Sequence, residues 1–250
     1  MRAALAVLGL LAASPAFAQH DELKLPTQSW SFDGPFGTYD RASMQRGFQV
    51  YSEVCSTCHG MKELYYRNLV AIGLNEEQVK AIAASHEISG DVDDSGQPVD
   101  RKALPSDHFK APFANDKAAR AANGGALPPD QSLIIKARHD GSNYVYDLLN
   151  GYRNAPEGVK VGDGQYYNLW FPGHQLAMPA PLRDGQVTYA DGTPATVEQM
   201  SRDVVQFLTW ASEPAMETRK RMGIKWVGIF AMLTGLTIVV KKRIWKDVDH

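Results

Sequence analysis

The apolar positions of "RASMQRGFQVYSEVC" recur at helical spacing. Met44, Phe48, Tyr51 and Val54 share one face, which predicts an amphipathic helix running into Cys55. The period returns near the other end of the chain, where Met200, Val204, Phe207, Leu208 and Ala211 line one face of a second helix. The capping box Thr196-Val197-Glu198-Gln199 opens that helix and Pro214 closes it. Between the two, the pattern breaks into shorter pieces. Asn75 to Ala84 reads as a short Asn-capped helix, and "NDKAARAANGG" as a capped helix ended by Gly124 and Gly125. "LPPDQSLIIKARHDGSNYVYDLLNGY" predicts two short helices, the second capped by Ser142 and ended near Gly151. Residues 86 to 112 carry no apolar period and read as a polar loop. "RDGQVTYADGTP", with two Asp-Gly turns, predicts a small hairpin. The expected fold is mainly α, with long loop insertions.

Two segments lack a polar face altogether. "MRAALAVLGLLAASPAFAQ" has a cationic start, a short apolar run and an Ala-Phe-Ala cleavage pattern, so residues 1–18 read as a signal peptide. From Ile224 to Val240 the only charge among 17 residues is Lys225. A helix of that length covers about 26 Å, close to the hydrocarbon core of a bilayer. Trp226 and Trp245 stand at its ends, with Arg219, Lys220, Arg221 before it and Lys241, Lys242, Arg243 after it. With Lys225 and Lys246 added, the two flanks carry equal cationic charge, so the signal peptide sets the orientation. The chain divides into an exported domain (19–213), a linker (214–223), one transmembrane helix (224–240) and a cytoplasmic tail (241–250). The exported domain faces the periplasmic side of a bacterial-type inner membrane.

Charge sharpens this division. The whole chain has a formal net charge of −2, but residues 19–213 hold 17 Lys and Arg against 25 Asp and Glu, 17 − 25 = −8. An acidic exported domain argues against nucleic acid and suits a basic protein partner. Glu87, Asp91, Asp93, Asp94, Asp100 and Asp107 concentrate acid in the 86–112 stretch. That stretch is either a solvated insertion or a docking surface.

Both cysteines of the chain lie in "EVCSTCHGMKEL". A disulfide between Cys55 and Cys58 would close a tiny loop and stabilise little. A redox dithiol wants a βαβ setting, and zinc wants a fourth ligand beyond Cys55, Cys58 and His59. Covalent attachment of one haem c accounts for all three residues, the thiols adding to the vinyl groups and His59 serving as proximal ligand. The sixth position decides the chemistry. Met61 is tied to the proximal side, Met44 and Met200 fit core helices, and Met216, Met222 and Met232 lie at or in the membrane. Met178 in "FPGHQLAMPAPL" remains, held in a stiff loop by Pro172, Pro179 and Pro181, with His174 as the rival. His86 and His108 read as solvated. Arg138 is either a partner for a haem propionate or a plain surface residue. Tyr166, Tyr167, Trp170 and Phe171 either wall the haem or pack in the core.

The set "CSTCHGM", "ANGGALPPDQS", "ARHDGSNYVYDLLNGY", "YYNLWFPG", the Met of "QLAMPAPL" and "WASEP" leading through "RKRMG" resembles the cytochrome c1 family over nearly the whole mature chain. It departs at Pro179-Ala180-Pro181, where relatives often have adjacent prolines. The resemblance implies a class I cytochrome c-like domain with Cys55 and Cys58 as attachment residues and His59 and Met178 as the axial pair. It makes Arg138 a propionate partner and gives Pro129 and Tyr144 places in the haem pocket. It further implies one-electron relay from the Rieske iron–sulfur protein to a cytochrome c, beside cytochrome b, where the whole complex oxidises quinol. The competing readings are a membrane-tethered c-type cytochrome of another oxidoreductase, and a haem enzyme or gas sensor with an open sixth position.

Overall fold

A computed structural model describes residues 24–247; the expected signal peptide, residues 1–18, lies outside them. The first helix, α1 (Arg41–Glu53), starts where the Asp40 carboxylate accepts the Ala42 and Ser43 N–H groups at 3.0 and 3.2 Å. It buries Met44, Phe48 and Tyr51, as the periodicity requires, together with Val50. A 3-10 turn (Cys55–Thr57) follows directly, then a longer 3-10 segment (Tyr66–Ile72). Helix α2 (Glu76–Ala84) has a reciprocal capping box between Asn75 and Gln78.

The stretch expected as a polar loop carries an antiparallel hairpin, β1 (Glu87–Val92) and β2 (Pro98–Lys102), with a register shift between Ser89 and Asp91. Val92 and Val99 lie exposed beside polar neighbours while Ile88 packs partly against the core, so no clean alternation marks the strands. His86 at its base is half-buried rather than solvated, stacking on Tyr66 at 5.4 Å between ring centroids. His108, at the far side of the stretch, is exposed as expected.

Helix α3 (Asp116–Ala122) is capped by the Asn115 side chain. Residues 131–139 form successive turns instead of the first of two helices. The second forms as α4 (Gly141–Asn150), with Asp140, not Ser142, at its N-cap. Two short strands, β3 (Tyr166–Tyr167) and β4 (Gln175–Leu176), pair antiparallel. The expected hairpin at 183–194 does not form. That segment runs as turns, with Val187 and Tyr189 buried in the core.

Helix α5 (Val197–Ser212) buries Met200, Val204, Phe207, Leu208 and Ala211, and the Thr196 hydroxyl accepts the Gln199 N–H at 3.1 Å. It packs across α1 at the centre of the domain. A Cβ on Gly47 would collide with the Asp203 carbonyl, so the two backbones meet closely there. The fully buried Asp203 carboxylate accepts from Ser43 Oγ (2.6 Å) and from Arg46 Nε and Nη2 (2.9 Å each). Arg46 Nη1 reaches Asp191 at 2.8 Å.

Helix α6 (Met216–Ile244) is unbroken, so most of the 214–223 segment is helical. Met216 is buried against the domain core, not in the membrane, whereas the side chains from Ile224 to Val240 are exposed. Among the described residues this is the one helix long and apolar enough to cross a membrane.

Two measurements bear on this fold. Gly47→Ala is expected to destabilise the domain by about 3 kcal/mol through overpacking, read as a lower urea midpoint. Asp147 is buried with Oδ2 lacking a partner, and burial, then the Asp140 charge, push its carboxyl up to about 6. The fold therefore favours the protonated form, a contribution complete at low pH and lost as pH rises through about 6. Asp147→Asn should raise stability by roughly 2 kcal/mol at pH 7 and change little below about pH 4, by urea unfolding at both.

Candidate haem site

Helix α1 delivers the two thiols. It ends at Glu53, and the following 3-10 turn is closed by Cys58 N–H to Cys55 O (3.1 Å) and His59 N–H to Cys55 O (2.9 Å). Both cysteines are partly buried thiols with no disulfide between them. Burial, then the neighbouring Cys58, push the Cys55 thiol up to about 12, so at neutral pH it stays protonated.

His59 is held from two sides. Its Nδ1 lies 2.8 Å from the Pro129 carbonyl oxygen, which requires the proton on Nδ1 and leaves the Nε2 lone pair free. Its own carbonyl accepts from Tyr51 Oη at 3.1 Å. Burial lowers the pKa of the ring, more than Pro129 and Asp130 raise it, so the imidazole is neutral at pH 7.

A latch of short bonds fixes Pro129 where His59 needs it. Gln131 N–H donates to Gly60 O at 2.8 Å, and Glu63 N–H to Ser132 Oγ at 3.1 Å. The Asp130 carboxylate accepts the Lys62 N–H and the Ser132 N–H, both at 2.9 Å. Residues 60–63 are thereby stitched to residues 130–132.

The remaining sequence candidates lie further along. Arg138 is exposed and donates to the Ala137 carbonyl at 3.0 Å, while its guanidinium acts on the half-buried Tyr144 of α4. Burial raises the Tyr144 phenol, partly offset by Arg138. Tyr144 in turn acts on Tyr152, whose hydroxyl donates to the Met178 carbonyl at 3.0 Å. Met178 is half-buried and follows β4 by two residues, so the β3–β4 pair and Tyr152 brace its loop in addition to the prolines. The rival His174 stacks its ring on Tyr167 at 5.6 Å and holds Nδ1 3.1 Å from the Asn168 carbonyl, which, as at His59, leaves Nε2 free. Tyr166, Tyr167, Trp170 and Phe171 all lie outside the buried core.

The cytochrome C1 family model matches residues 30–248. The chain belongs to the cytochrome c1 family. It is 46% identical to a cytochrome c1 of Rhodospirillum rubrum, over all of this chain and 98% of that one. It is 48% identical to a mitochondrial cytochrome c1-2 heme protein of Solanum tuberosum, over 90% of this chain and 87% of that one. A mitochondrial "cytochrome b-c1 complex catalytic subunit" of Candida albicans is 45% identical over 93% of this chain and 81% of its own length.

Family membership establishes electron transfer as the function and haem as the cofactor, with a membrane anchor helix. The cytochrome c1 assignment fits the donor set: two adjacent thiols unspent in a disulfide, and an imidazole whose second nitrogen is already satisfied. Two residues with a part in the site escape the sequence reading. Tyr152 ends the "NGY" run like any helix-terminal aromatic, and only its bond to Met178 marks it. Asp130 follows two prolines, a signal of a turn but not of what that turn grips.

Asp130→Ala is expected to cost about 2 kcal/mol by removing two charge-assisted bonds to backbone N–H groups. Urea unfolding of the detergent-solubilised chain reads the loss, with Asp130→Asn recovering part of it.

Proposed function

We propose that this chain is the haem-bearing subunit of a cytochrome bc1 complex, passing single electrons from the Rieske iron–sulfur protein to a cytochrome c. The observation that carries the reading is His59 with its Nδ1 bound to Pro129 O, next to two thiols left free for covalent attachment. Cys55 and Cys58 would hold one haem c, with His59 Nε2 and Met178 Sδ as the ligands to its iron. When bound, the haem supplies a reversible one-electron iron couple.

The chain's own part is to hold, orient and tune. The Pro129 carbonyl fixes the His59 tautomer and ring direction, and strengthens the imidazole as a donor. Met178 would favour the reduced state, with Tyr152 fixing its loop from the carbonyl side. Arg138 supplies a cation and Tyr144 a hydroxyl beside it, a pair suited to a propionate.

The exported domain (19–213) would lie in the periplasm, with the span at 224–240 and the tail at 241–250 in the cytoplasm. Cytochrome b and the Rieske protein would be its partners in the complex. The acidic surface suits a basic cytochrome c as acceptor. On the β1–β2 hairpin Asp93 and Asp94 are exposed, whereas Asp107 is spent on Arg101 through bonds of 2.6 and 2.9 Å. Arg101 holds the Asp107 carboxyl down at about 2, so it stays charged but locally neutralised.

Met178→Leu in the purified complex is expected to lower the haem midpoint potential and open the reduced protein to carbon monoxide, followed by redox titration and optical spectra. An unchanged spectrum and potential would reject Met178 as the ligand.

A further inference from the structure

Phe36 is 79% exposed, more than any large apolar side chain of α6 itself. Single exposed apolar residues are ordinary on a soluble surface, and this one gains meaning from where it is tied. Lys220, in the second turn of α6, donates its ammonium to the carbonyls of both Phe32 and Gly37, which bracket the Phe36 turn. The turn is built to keep its shape. Trp30 N–H donates to Asp33 Oδ2 at 2.8 Å, Asp33 N–H to Trp30 O at 3.1 Å, and Thr38 N–H to Ser31 O at 3.0 Å. A Cβ on Gly37 would collide with the Asp33 carbonyl, so the chain folds back tightly just after the ring.

Position along α6 sets the level of this turn. Lys220 precedes Ile224, the first residue of the uncharged stretch apart from Lys225, by four residues, or about 6 Å of helix. The headgroup zone on each side of a bilayer is about 5–8 Å deep. Arg221 places cationic charge at the same level and Lys225 about 6 Å further along the helix, where its side chain can reach back, which suits phosphate headgroups. We propose that residues 33–37 form a second membrane contact of the haem domain, with Phe36 seated in the phospholipid headgroup interface beside α6. The proposal rests on α6 being the membrane span. It gives the domain two points of attachment, a helix and an aromatic tip, so its tilt over the bilayer is set.

The test uses the intact complex in its native membrane. p-Benzoylphenylalanine replaces Phe36 in one strain and Phe230 of α6 in another, and after irradiation the peptides are weighed by mass spectrometry. Both peptides are expected to gain the mass of one phospholipid. Lipid at 230 with no adduct at 36, or with 36 joined only to another protein subunit such as cytochrome b, overturns the proposal and leaves the span intact. No lipid at either position removes the span as well.

Discussion

The close crossing of α1 and α5 is the constraint on which the site depends. Gly47 lets the helices meet backbone to backbone, and Asp203 ties them with bonds from Ser43 and Arg46. A carboxylate this deep is tolerable only because three donors meet it; taking away the cation would strand a buried charge. Since α1 ends two residues before Cys55, the crossing also places the thiols. The same α5 reaches the other half of the site, where Ser212 Oγ donates to the Ser132 carbonyl at 3.1 Å in the latch beyond Pro129.

Aromatic side chains carry this order from core to site. Phe48, Tyr51, Phe109 and Phe207 meet edge-on or tilted with centroids 5.6–6.2 Å apart, and Tyr66 stacks on Phe109 at 4.7 Å. Such offset and edge contacts are the favoured arrangements of rings. Tyr51 belongs to the cluster by its ring and to the site by its hydroxyl on the His59 carbonyl. The imidazole is thus fixed by the core from behind and by Pro129 from the side. An electron carrier gains from such rigidity, because little has to move when its charge changes.

The anchor is continuous with this rigid body. Glu217 in the first turn of α6 takes a bidentate pair from Arg41 (2.9 and 2.8 Å) and the Tyr39 N–H (2.8 Å), while Tyr39 Oη donates to the Glu213 carbonyl at 2.9 Å. Arg41 is the first residue of α1, so the helix that presents the thiols and the helix that enters the membrane are bonded at their starts. The segment between domain and span transmits orientation where a flexible linker would lose it.

Local chemistry was legible in the sequence. The helices α1, α2, α3 and α5 and the apolar span follow from periodicity, caps and composition, because those signals act within a few residues. The Cys-Cys-His group is equally local. Where the reading failed, a distant partner decided. Ser142 looks like a cap, but its hydroxyl lies 3.1 Å from Thr209 Oγ1 of α5, and the chain turns at Asp140 instead. The β1–β2 hairpin pairs through backbone bonds and exposes Val92 and Val99 beside polar side chains, and so leaves no clean alternation to read. Val187 and Tyr189 favour a hairpin by type, yet burial in the core claimed them. By itself the sequence determined which atoms could bind a haem and which helix could enter a membrane. Only the tertiary structure decided which carbonyl orients His59, which hydroxyl braces Met178 and how the anchor joins the domain, because each of those bonds joins residues dozens of positions apart that nothing but the fold brings together.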